Sequence, residues 1–369
     1  MSINIQQLTP SNAIHPGYIL KDELDFRNIT QKDFALLTGI PQTQLNEVIK
    51  GKRAFNPHLA LVISKALEMD AILWLNLQSN YELDLAKINE KNSIRLSAIG
   101  QWQMIKLFIA EKYYKKMGVI TGNPVSDIPF IKKVFGIVHL EELPEVYNQP
   151  LYARFKKSDK LNIDKINSVS WVKLIKYQAT SIAVRSFNAN ELPLLIADLR
   201  KTFTKNKNTI EETKEVLAKY GIKFLVLTHP EKCAIDGISF WSGENPAIGL
   251  TTKLKRLDNF AFTVLHELGH IFLHLTNNKS LEFIDMDKEQ DNASYKISKE
   301  EIEANEFSKN TLIDQKSWNQ FEINNPIFNE ASIKQFAGKI SIHPAIVQGR
   351  YCFEKDFFKI KSTIDKMIY

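Results

Sequence analysis

Residues 261–275 read AFTVLHELGHIFLHL, an apolar run interrupted by Thr263, His266, Glu267, His270 and His274. Its length and pattern suit a buried helix. On a helix, residues four apart leave the same face about one turn apart, ~6 Å along the axis, so one metal ion can take both His266 and His270. Glu267, beside the first histidine, is turned to meet a water at that ion and act as general base.

A catalytic zinc site has three protein ligands and one open position, so a third donor is required. His274 shares the stripe, but it lies ~12 Å along the axis from His266, too far for one ion unless the helix breaks. A role in packing or in bonding around the site is expected for it. Nor does a metzincin spacing apply, since its last ligand would fall on Thr276. EEIEANEFSKNTLI, residues 300–313, reads as a second helix in which Glu301 and Asn305 are one turn apart and Ala304 is small enough to let the first helix come close. Glu301 and Glu303 project in nearly opposite directions. One turn beyond Glu303 is Phe307, suited to the core, whereas one turn beyond Glu301 is Asn305. Glu301 is therefore expected as the third ligand, with Asn305 orienting a ligating histidine.

This set resembles the glutamate zincins. FWSGENPAIGL (240–250), FTVLHELGHIFLH (262–274), EIEANEFSKNTL (301–312) and SIHPAIVQGRY (341–351) occur in the order found in ImmA/IrrE metallopeptidases. The resemblance spans about residues 209–355. It implies a zincin-like domain with a small β-sheet, Zn2+ as cofactor, and limited cleavage of a partner repressor or antitoxin-type protein. His343 and Arg350 are then expected either to donate to the oxyanion formed at the cleaved carbonyl or to serve as a helix cap and a salt bridge. A hairpin over 235–252 is expected, by analogy, to pair with an extended substrate beside the metal. The chain departs from the family pattern at Ser308, where alanine is usual, at Asn305, where many glutamate zincins have aspartate, and at Tyr351, where leucine is common.

Upstream, residues 15–90 read as consecutive short helices. In QKDFALLTGIPQTQLNEVIKGKR (31–53), Thr30 is a candidate N-cap and Gly39-Ile40-Pro41 a break. Phe34, Ala35, Leu37, Ile40, Leu45 and Val48 sit where two crossing helices would bury them. Gln31, Gln42, Thr43, Gln44 and Asn46 are left to face a groove, and Lys50, Lys52 and Arg53 to reach phosphates. A following helix from Pro57 carries Leu59, Leu61, Val62, Ile63, Ala66 and Leu67. Residues 15–85, including Trp74, Leu77 and Gln78, resemble the XRE-type helix-turn-helix of HigA-like antitoxins. The resemblance implies binding to double-stranded operator DNA, as a homodimer on a two-fold site.

The expected fold class is thus α+β and predominantly helical. Residues 1–90 form an all-α helix-turn-helix domain, 91–205 a mostly helical basic linker, and 206–369 the peptidase-like domain. Charge follows that division unevenly. Residues 1–90 hold 8 Lys and Arg against 10 Asp and Glu, 91–205 hold 19 against 9, and 206–369 hold 21 against 23. The basic excess lies in the middle, outside the segment that reads as a DNA binder, and is expected to be a solvated face. Every apolar stretch is broken well short of the ~20 residues of a membrane span. MSINIQQLTP lacks the basic and apolar regions of a secretory signal, and only Cys233 and Cys352 are present. A cytoplasmic protein with reduced thiols, in no contact with a membrane, is expected.

Overall fold

A computed structural model describes residues 11–149, 151–152, 164–253, 255–286, 298–325, 327, 329–355 and 362–369. MSINIQQLTP lies outside these ranges, as do Arg154, Lys156, Lys157 and Lys160 of the basic middle segment. The chain divides into two compact units, Met1–Gln103 and Met104–Tyr369.

In the first unit, α1 (Pro16–Phe26), α2 (Gln31–Thr38), α3 (Gln42–Ile49), α4 (Pro57–Leu67) and α5 (Ala71–Ile88) follow one another through short turns. Side-chain caps set their starts. Thr30 accepts from Asp33 N at 3.2 Å, Asn56 from Leu59 N at 2.8 Å, and Asp70 from Ile72 N at 2.9 Å, each satisfying a donor the helix cannot. Gly39, at φ 69°, ends α2 and turns the chain into α3. Leu20, Phe34, Leu45, Val48, Ile63 and Trp74 make the core. Trp74 stacks on Phe55, whose N–H donates to the buried Gln78 at 3.1 Å. One expected core residue is corrected. Leu37 is 66% exposed, because the inward face of α2 is set by Phe34 with Ala35, and Leu37 lies two positions off Ala35, across the helix.

After α6 (Glu90–Ile105), the second unit runs through α7 (Glu111–Lys116), α8 (Pro124–Phe135), α9 (Leu143–Asn148), α10 (Lys165–Thr180), α11 (Leu192–Lys205) and α12 (Thr209–Lys219). There follow β1 (Lys223–Leu227), β2 (Ile235–Ser242), β3 (Asn245–Thr251), α13 (Leu257–His270), a π-helical turn (Ile271–Leu275) and β4 (Phe283–Met286). The last helices are α14 (Lys299–Leu312), α15 (Gln315–Asn324), α16 (Glu330–Lys339) and α17 (Pro344–Glu354). The fold is α+β and mostly helical, with one four-stranded sheet ordered β1-β3-β2-β4. β1 runs parallel to β3, while β2 is antiparallel to both β3 and β4.

Two glycines show how the sheet is covered. A Cβ on Gly249 would meet Ile175 of α10 at 2.6 Å, and one on Gly237 would meet Glu267 of α13 at 2.4 Å. Gly249 pairs with Ile238, one residue on from Gly237. Successive strand residues point to opposite faces, so α10 and α13 cover opposite faces of the sheet. The expected linker is therefore no tether. Val169, Trp171, Val172, Leu174 and Ile175 are fully buried on α10, and Leu195, Leu199 and Phe203 of α11 join the core built around α13. The boundary expected at 205/206 does not separate compact units. The hairpin expectation also changes: β2 and β3 are joined at Gly243-Glu244, with Gly243 at φ 63°, and both outer edges of the pair are already taken by β1 and β4.

Candidate metal centre and nucleic-acid interface

α13 forms because its apolar side chains wrap almost the whole helix, and every residue from Thr263 to His270 is buried. α14 starts at Ser298, whose hydroxyl accepts from Glu301 N at 3.3 Å. The two helices meet where both are narrow: a Cβ on Gly269 would lie 3.0 Å from Ala304 Cα and 3.3 Å from its Cβ. Ser308 adds a bond to Phe262 O at 2.9 Å, giving the departure at this position a local purpose. The crossing brings Glu301, one turn before Ala304, against the histidine pair.

The donor atoms make a small triangle. His266 Nε2 and His270 Nε2 are 3.1 Å apart, Glu301 Oε2 is 3.4 Å from His266 Nε2, and Glu301 Oε1 is 3.2 Å from His270 Nε2. A tetrahedron with bonds of ~2.0–2.1 Å has edges of ~3.3–3.4 Å, so these residues fit a zinc ion. All three are buried. Phe283 of β4 stacks on the His270 ring with centroids 4.1 Å apart and fixes its plane.

The titratable groups in this pocket act strongly on one another. Burial opposes charge on His266, but Glu301, helped by Asp285 and Glu267, outweighs it and pushes the imidazole up to about 9. Burial and the charge on His266 hold His270 down to about 4 against the pull of Glu301. Burial would raise the Glu301 carboxyl, and the two histidines overcome it and lower it. Burial, with Asp285 and Glu301 nearby, raises Glu267 well above its ordinary value. The two imidazole Nδ1 atoms lack a hydrogen-bond partner among the described residues, while the Nε2 atoms and the Glu301 carboxylate converge on the space between them.

The other expected site residues separate. Glu303 faces away, 3.8 Å from His274 Nδ1 and 3.5 Å from Lys299, and His274 Nε2 meets Glu300 O at 3.2 Å. Asn305 lines the cavity beside Glu301, but it does not orient a histidine, since both Nδ1 atoms lack a partner. His343 caps α17, accepting from Ala345 N at 3.2 Å, and does not line that cavity. Arg350 does line it, yet four of its five N–H donors are engaged: with Glu354 at 2.9 Å, Lys309 O at 3.2 Å, Ile313 O at 2.6 Å and Gln315 at 2.8 Å. Its guanidinium also lies 4.6 Å from the Trp318 ring. These bonds close the end of α14, and one N–H donor is left outside them.

The cavity beside His266 and Glu301 encloses about 500 Å³, with Phe262, Ile313 and Ile346 among its apolar walls and Asp236 and Asp285 among its polar ones. Sequence reading missed Gly237, Gly269 and Phe283. A glycine inside a strand is the one readable signal, since it marks close approach by another group.

In the first unit, Gln42 and Thr43 are exposed at the start of α3, and Gln44, Asn46 and Gln31 are half-exposed. Lys50, Lys52 and Arg53 are exposed, with Arg53 paired to Glu47 at 2.8 Å.

Two short helices joined by a tight turn, followed by a fold that gathers two histidines and a glutamate beside a small sheet, define a helix-turn-helix protein joined to a peptidase-like domain. The chain belongs to the helix-turn-helix family, whose model matches residues 20–73, and its residues 217–322 match the IrrE N-terminal-like domain, a peptidase family. It is similar to virulence-associated protein A′ of Dichelobacter nodosus, 32% identical over 91 residues that cover 24% of this chain and 77% of the relative. The uncharacterized HTH-type transcriptional regulator YddM of Escherichia coli is 30% identical over 73 residues, 20% of this chain and 78% of that protein. A solved addiction module antidote protein of the HigA family from Coxiella burnetii matches with a TM-score of 0.22 and 30% identity, covering 22% of this chain and 91% of that one. No described helix is long and apolar enough to cross a membrane.

Proposed function

We propose that the chain is a DNA-binding transcriptional regulator whose second unit is a zinc-dependent endopeptidase, cutting a partner repressor or antitoxin-type protein in a stress, phage or toxin-antitoxin response. The observation that carries the enzymatic half is the buried triangle of His266, His270 and Glu301, with edges of 3.1–3.4 Å. His266, His270 and Glu301 would hold a zinc ion, which would supply Lewis acidity for a carbonyl and for a water. Glu267 is the proton acceptor, buried on α13 beside the ligand His266, where a water on the ion would meet its carboxylate. β4, the strand outside the β2–β3 pair and a wall of the cavity through Asp285 and Met286, is the edge along which an extended substrate lies, in place of the hairpin.

For DNA, the exposed polar start of α3 enters the major groove, while Lys50, Lys52 and Arg53 contact phosphates of a two-fold operator bound by a homodimer. Glu267→Gln tests the peptidase. It retains zinc by elemental analysis and loses cleavage of the partner protein on gels, and equal cleavage by both forms would remove Glu267 as the base.

A second reading keeps the metal and drops the cleavage: an antitoxin or repressor whose zincin fold only binds or senses. It is favoured by the bonds that hold Arg350 at the end of α14 and by His343 capping α17 outside the lining of the cavity. Partner binding that survives Glu267→Gln, with no cleavage by either form, selects it.

A further inference from the structure

A second cavity, of about 600 Å³, lies in the same unit, bounded by α8, α9, α10 and the end of β2. None of the metal-centre residues lines it. Lys173 and Lys176 stand three residues apart on α10, on one helix face where like charges repel. Lys176 is neutralised by an ion pair with Glu282. Lys173 is half-buried, and among the described residues no carboxylate pairs with it; its ammonium rests 6.0 Å from the centre of the Tyr152 ring. Burial first, and then Lys176, lower its pKa, with Glu282 pulling the other way.

The acidic groups on the wall do not answer these donors. Glu142 accepts from His139 N at 2.6 Å and Val138 N at 3.2 Å, and Glu145 is exposed to solvent. Lys133, at the rim, is a further exposed cation. Behind the wall, Lys223 is buried with only neutral acceptors, Ala179 O at 2.9 Å and Ser242 Oγ at 3.3 Å. The wall carries Lys133, Lys173 and Lys176 against Glu142 and Glu145, with Glu282 on Lys176; what it leaves open is the Lys173 ammonium, a half-buried donor with no hydrogen bond or ion pair among the described residues, and an anionic group rich in acceptors is what would engage it.

We propose that this cavity binds a small phosphorylated ligand of nucleotide size, its phosphate against Lys173 and its organic part against the half-buried Tyr177 ring. A phosphate carries several acceptor oxygens and up to two charges, which matches clustered ammonium groups better than a single carboxylate. The volume leaves room for more than the phosphate itself.

The test uses the full chain, titrated calorimetrically at low salt with inorganic phosphate and with AMP. Both bind, AMP at least about tenfold more tightly, and salt weakens both. Lys173→Met loses about tenfold or more for each, while Lys173→Arg stays within about threefold. AMP also protects Lys173 of the parent protein from reductive methylation, read by mass spectrometry, which decides the matter even if Lys173→Met fails to fold. Absence of binding at millimolar concentrations, equal affinity in Lys173→Met, or unprotected Lys173 overturns the site. AMP binding no tighter than phosphate overturns the place given to Tyr177.

Discussion

Gly269→Ala probes whether the helix crossing sets the donor triangle. The added methyl would sit 3.0 Å from Ala304 Cα and 3.3 Å from both its Cβ and its carbonyl oxygen, so α13 and α14 must part by a few tenths of an ångström. Overpacking of this kind costs ~1–3 kcal/mol. Replacing glycine inside a helix returns ~0.8–1 kcal/mol through propensity, leaving a net loss of roughly 0–2 kcal/mol. For a unit of this size that lowers the melting temperature of the metal-free protein by no more than ~8 °C. Metal affinity suffers more, because ligand distances tolerate only about ±0.2 Å, and Glu301 rides on the helix that moves. A loss of about 10–100-fold in zinc affinity is expected, the range seen when groups that position ligands are disturbed. Competition against a chromophoric chelator, beside thermal unfolding of the metal-free protein, separates the two effects. Parental zinc affinity in a folded Gly269→Ala would refute the idea that this contact places Glu301.

Glu301→Ala removes a donor of the triangle and should lose most zinc affinity, whereas Glu303→Ala, which only releases contacts to His274 and Lys299, keeps it; chelator competition showing the reverse order would reject the ligand assignment. On DNA from the gene's own upstream region, Lys52→Ala should weaken binding and reduce the salt slope by about one, with Arg53→Ala doing less because Glu47 already holds its guanidinium, and Gln42→Ala with Gln44→Ala should relax sequence preference. Fluorescence anisotropy across a salt series reads both effects, and salt-insensitive binding would count against the interface. The first unit should also be acid-sensitive through His15, which caps α1 by accepting from Gly17 N at 2.9 Å and whose pKa burial lowers below 6.5. The unfolded chain then binds the proton more readily, so stability is full above about pH 6.5 and falls as pH drops toward the folded pKa. His15→Asn, which keeps a capping oxygen, should flatten that slope in denaturant titrations from pH 7.5 to 5, and an unchanged slope would assign the acid sensitivity elsewhere.

Local chemistry was legible wherever it repeats within a few residues. The register HELGH puts two imidazoles on one helix face whatever surrounds it. Thr30 and Gly39 mark the ends of α2 by hydrogen-bonding capacity and by φ, and the opposition of Glu301 to Glu303 follows from helical geometry alone. The order of the motifs was enough to place the chain among helix-turn-helix and IrrE-like proteins. What failed had its cause at long range. Leu37 satisfies an apolar count, but which stripe turns inward depends on where α2 docks. For Arg350 and His343 the motif block left two roles open, oxyanion donors or a salt bridge and a helix cap. Only the folded chain shows that the end of α14 takes the guanidinium and the start of α17 takes the imidazole. α10, read as part of a linker, is a core layer because Gly249 opens one face of the sheet to Ile175 while Gly237 opens the other to Glu267. Periodicity fixes which side chains share a face, since that is set by bonds within a few residues. Which partner covers the face is settled by contacts between segments far apart in the chain, and that decision belongs to the tertiary structure.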